Sequence, residues 1–218
     1  MASKAGIWNM AVGHLLGTSD IQSTTTIDTS EKHYCNKFYD TCRKQLLEVH
    51  DWRFANKILT LSLLSGDPPV NWGFQYAYPT DCVQIRQVVT PKLVQRPILA
   101  GEGFYPESES LFYKPYPVPY EVMLTENDDG KRILTDQKEA QLQYTAFIDN
   151  EAIYPESFAW AVSWKLAQAI VLPLTGNPEL TDYAQRKQME SMTQAMSADS
   201  YNQHIDPHVD ADWTRTRI

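Results

Sequence analysis

The stretch from Phe158 to Leu172 constrains this chain more than any other. Phe158, Val162, Leu166 and Ile170 form one helical stripe, and Trp160 and Trp164 form another. A helix that is apolar nearly all round is buried nearly all round. Both tryptophans are therefore expected in a core rather than on a ligand platform. The stretch is too short to span a bilayer, and Ser163, Lys165 and Gln168 interrupt it. Pro155-Glu156 opens the helix, proline and acid both being favoured in a first turn. Pro173 and Gly176 close it. Asn177-Pro178 restarts a helix, with Asn177 as the cap, that runs to about Ser200.

The elements that cover such a helix must come from elsewhere in the chain. Ile7 to Leu16 predicts a short helix ended by Gly17, and the Ser/Thr-rich residues 19–29 predict a loop. A longer helix follows from Glu31 to His50, with Ser30 placed to cap it. Tyr34, Cys35, Phe38, Tyr39, Cys42, Leu46 and Val49 share one of its faces, about 140° wide. After Trp52 and Phe54 the period changes from helical to alternating. Leu59, Leu61 and Leu63 alternate with Thr60 and Ser62, a strand pattern ended by Gly66-Asp67-Pro68-Pro69. A second strand is expected over Val83–Val89, opened by Pro79-Thr80-Asp81. Val122–Thr125 and Arg132–Leu134 flank Asn127-Asp128-Asp129-Gly130, a hairpin-turn signal. Leu142, Tyr144 and Ala146 give the last strand. Between them Gly101–Pro119 carries Pro106, Pro115, Pro117 and Pro119 among aromatic residues, and predicts an extended loop.

The whole reads as α+β. A helical bundle is formed by the N-terminal helices (1–56) and a C-terminal helical hairpin (151–200). A β-rich insertion (57–150) separates them, and an extended C-terminal arm (201–218) follows. At 218 residues the chain is long enough for a real core, and 43% hydrophobic with 21% charged residues is ordinary for a globular protein. The formal charge is −8 with no basic cluster, which argues against tight binding to a phosphate backbone. Cys35 and Cys42 lie ~10.5 Å apart along one helix, beyond the ~7 Å that a disulfide spans. With Cys82 they read as reduced thiols in a reducing compartment. No apolar run near the start is long enough for a signal peptide.

The last residues are too polar to fold on themselves, yet they hold Trp213 and end on Ile218. A segment of that kind orders against another protein. Tyr201, His204, Ile205, Asp206, His208, Asp210, Trp213, Arg215, Arg217 and Ile218 are its candidate contacts, with Trp213 as the apolar anchor. His204, Asp206, His208, Asp210 and Asp212 alternate, which in an extended strand places them on one face, a pattern that can hold a divalent metal. Pro207 and the terminal position favour a partner-binding arm instead, and no metal or cofactor is expected. Arg215 and Arg217 either pair with acidic partner residues or solubilise the end, and Ile218 beside them favours pairing. Phe104, Tyr105, Phe112, Tyr113 and Tyr116 are a second candidate contact, either to a partner protein or to a sugar. No catalytic residue is expected. Gly101-Glu102-Gly103 lacks the rest of any phosphate motif, and His14, His33 and His50 have no Ser or Cys partner by spacing. Glu107 and Glu109 read as solvated.

Three stretches, in order, carry a family likeness: Trp52-Arg53-Phe54-Ala55 followed by a Leu-alternating strand, "YPTDCVQIR" from Tyr78 to Arg86, and "YPESFAWAVSWKLA" from Tyr154 to Ala167 with the Gly176-Asn177-Pro178 break. In these features the chain resembles the tail tubular protein A family, the head-to-tail adaptors (connectors) of short-tailed bacteriophages. The segment 92–119 departs from the family pattern. The resemblance implies a non-enzymatic virion structural protein, made in the host cytoplasm, that forms a homo-oligomeric ring, commonly a dodecamer. The arm would bind the portal protein above, the β insertion would face the tail nozzle protein below, and the aromatic loop would lie on the nozzle side. Double-stranded DNA would pass through during ejection without specific binding, along a lumen where acids outnumber bases, and no membrane would be involved. Two readings from other classes remain: a glycan-directed hydrolase using carboxylates of the β region, and a carbohydrate-binding tail module using Tyr105, Tyr113 and Tyr116.

Overall fold

Four helices and seven strands make up the residues that the computed structural model describes, 2–17, 29–69, 71–90, 117–125 and 130–201, and the protein is α+β. The arm residues after Tyr201 and the aromatic loop residues Phe104, Tyr105, Phe112, Tyr113 and Tyr116 lie outside these. The chain divides into two units. One is formed by residues 1–46, 52–54 and 150–218, the other by residues 47–51 and 55–149.

The first unit is helical. Helix α1 (Lys4–Leu16) starts three residues before the apolar pattern, because the Ser3 hydroxyl accepts the Gly6 N–H at 3.1 Å. Helix α2 spans Ser30–Val49. Its cap is Thr29 rather than Ser30: the Thr29 hydroxyl accepts from the Lys32 N–H, and its carbonyl from the His33 N–H. Cys35, Tyr39, Cys42 and Leu46 are buried as the spacing predicts, but Val49 is 64% exposed, and Arg43 is buried in addition. Burial raises the thiol pKa of Cys35 to about 12 and of Cys42 to about 11, with the charge of Glu31 adding to the first. Both are free, as is Cys82.

Helix α3 (Glu156–Thr175) packs on α1 and on α4 (Pro178–Tyr201). Pro155 stands just before α3 as its cap, and its carbonyl accepts from the Ala159 N–H. Pro173 does not close the helix. It rides inside the last turn, and Gly176 ends it at φ 64°, its N–H donating to the Leu172 carbonyl at 2.9 Å. The Asn177 side chain accepts the Glu179 N–H at 2.9 Å and starts α4 as expected. With 20 residues α3 is long and apolar enough to cross a bilayer, which the shorter stretch Phe158–Leu172 did not suggest. Phe158, Val162, Leu166 and Ile170 are nevertheless wholly buried within the unit, as a core helix requires.

The second unit is a sandwich of two antiparallel sheets. One sheet runs in the order β1 (Asn56–Thr60), β7 (Gln141–Ala146), β3 (Cys82–Val89), β4 (Pro117–Val118). The other runs β2 (Phe74–Ala77), β6 (Lys131–Thr135), β5 (Glu121–Leu124). Ile85, Val88, Leu142 and Tyr144 from the first sheet share a core with Tyr76 and Ile133 from the second. The alternating leucines do not form one strand. Leu59 pairs with Leu142 in the first sheet. The Leu61 N–H still bonds to the Ala140 carbonyl, but Ser62 accepts from Ala77, and Leu63 bridges to Tyr76 in the other sheet. The chain changes sheets at Leu61, whose side chain is buried in the shared core. It changes sheets again between β4 and β5, where the Thr135 hydroxyl holds the Pro119 carbonyl at 2.8 Å.

Candidate functional site

The helical unit carries an aromatic cluster built from three helices. His14 of α1 stacks on Trp164 of α3, ring centroids 3.9 Å apart and 4° from parallel, and meets Trp160 edge-on at 4.7 Å. Tyr183 of α4 meets Trp164 edge-on at 5.9 Å. The expectation that both tryptophans are core is half corrected. Trp164 is buried, but Trp160 is 43% exposed, because α1 and α4 cover α3 on two sides and leave the Trp160 face open.

His14 also has the serine partner that spacing did not reveal. Its Nε2 lies 3.0 Å from the Oγ of Ser163, a residue 149 positions away. The Ser163 hydroxyl donates to the Trp160 carbonyl at 2.7 Å, so its oxygen is left to accept a proton from Nε2. Burial lowers the His14 pKa from 6.5 to about 4. A nucleophilic serine needs a base that takes its proton. Here the proton is committed to a helix carbonyl, the serine is wholly buried, and the imidazole is a weak base. The pair ties α1 to α3.

Two further polar clusters each brace one unit from inside. In the helical unit, buried Arg43 reaches Asp40 at 3.0 Å and both Glu151 and the Tyr154 hydroxyl at 3.4 Å, while the Tyr39 hydroxyl donates to Glu151 at 3.2 Å. Removing Glu151 or Tyr154 takes partners from the buried Arg43 guanidinium, so the network favours one arrangement, while Asp40 at 61% side-chain exposure stays solvated. In the β unit, Asp81 accepts from Lys57 at 2.7 Å and from the Tyr144 hydroxyl at 2.9 Å. Burial works against the Asp81 charge, but the hydrogen bonds from Lys57 and Tyr144 outweigh it and keep the carboxyl below its usual range. Arg86, in the same sequence motif, donates to the Thr145 hydroxyl and to the carbonyls of Leu47 and His50. A cation there neutralises the negative end of the α2 dipole.

Three of the quoted motif residues thus act as joints. Trp52 is buried, donates from Nε1 to the Leu46 carbonyl at 2.7 Å, and packs edge-on against Phe158 at 4.8 Å. Phe54 lies 4.8 Å from Phe158 and 5.6 Å from Tyr154. The Arg53 N–H, opening a single 3-10 turn (Arg53–Ala55), bonds to both carboxylate oxygens of Asp199 near the end of α4, each at 3.3 Å. A small recess beside this bond is lined by Trp52, Pro155, Ser157, Phe158, Ala198 and Asp199.

Of the candidate arm, Tyr201 alone falls among the described residues, and it stands 88% exposed at the end of α4. Among the described residues no group of His, Cys, Asp and Glu is arranged to hold a metal ion. The apolar surface is distributed over distinct places. Trp160, Tyr183, Leu172 and Met189 are exposed on the helical unit, and Ile58, Leu59, Val122, Met123 and Leu124 on the outer strands of the β unit. These strands escaped the alternation signal as interaction surfaces, because period-two patterning marks the buried face and not a free edge. Compared with protein-family models and with curated proteins, the chain finds no match in either.

Proposed function

We propose that this protein is the structural adaptor ring component that joins the portal vertex to the tail nozzle of a short-tailed phage and forms part of its DNA channel. In this role it is not an enzyme. The observation that carries the proposal is the order of the three motif stretches together with where they sit. Trp52, Phe54, Tyr154 and Phe158 form one aromatic joint in the helical unit. Asp81 and Arg86 brace the β unit. A chain that resembles the adaptor family in these stretches uses them for its own architecture.

In this proposal the helical unit is the bundle from which the β unit is inserted. Residues 201–218 are the portal-binding arm, and residues 104–116 belong to the nozzle side. An arm that orders only on binding delays attachment until the portal ring is present. Repetition around a ring then multiplies weak contacts through effective concentration. The net charge of −8 suits a channel that must not hold DNA.

The test is co-sedimentation with tail-less, DNA-filled capsids of the parent phage, comparing the full chain with one ending at Gln203. Binding by the full chain that disappears on truncation is the expected result. No binding by the full chain overturns the proposal and brings forward the glycan-directed readings, hydrolase or binding module.

A further inference from the structure

We draw no further inference here: the strongest candidate, the open aromatic face of the helical unit where Trp160 and Tyr183 stand exposed beside the His14–Trp164 stack, carries none because nothing in the structure shows what covers it.

Discussion

At the scale of single residues, the buried polar contacts make the sharpest predictions. Asp199 is the partner of the Arg53 N–H. Replacing it with alanine removes that part-buried hydrogen bond, worth about 1 kcal/mol. Urea unfolding of Asp199→Ala should show that loss in the midpoint with an unchanged slope. His14 makes stability depend on acidity. Its folded-state pKa of about 4 lies below the ordinary 6.5, so the unfolded chain binds the proton first as pH falls. The His14 contribution is complete above about pH 6.5 and is lost on acidification toward about 4. His14→Gln should flatten that part of the profile in unfolding experiments run across the range. The His14–Ser163 pair also shows a limit of linear reading: no spacing rule brings together partners 149 residues apart.

At the scale of elements, capping and punctuation residues were legible where they act through their immediate neighbours. Asn177 and Gly176 do what their types imply. Pro173 does not, because a proline in a last turn removes one hydrogen bond without breaking a helix already held by core packing. Pro173→Ala restores an N–H for the turn and should raise stability by about 1 kcal/mol, seen as a higher thermal midpoint. Strands were harder. Leu59, Leu61 and Leu63 read as one alternating run, yet Leu61 alone of the three is buried, and Leu63 bridges to the second sheet, because the run crosses from one sheet to the other at Leu61. β2 escaped notice because Gln75 sits in its centre, where it accepts from Arg132 at 2.9 Å. Trp160 was misplaced for the converse reason. An all-round apolar helix predicts an all-round cover, but α1 and α4 leave one side open.

At the scale of the molecule, the α+β class was legible because helical and alternating periods occupy separate stretches. The division into units follows from contacts between the two ends of the chain, and residues 150–201 supply much of the helical core. The buried apolar residues described end at Ala195. A chain stopped at Gln203 should therefore keep the circular dichroism and melting temperature of the full chain, and a fall of several degrees would show that the arm contributes to the fold. The aromatic loop and the arm, which carry the partner contacts named from sequence, are to be tested by binding.

The bond between Asp199 and Arg53 has a mechanical consequence. Tension on the C-terminal end reaches the helical unit through Tyr201 and meets Asp199 two residues further in. The final turn of α4 frays first, and further peeling must shear both carboxylate oxygens from the Arg53 N–H before Met192 and Ala195 leave the core. The latch sits where the load enters, so a sudden pull on the chain end is resisted at one anchored point before the rest of the helix is engaged.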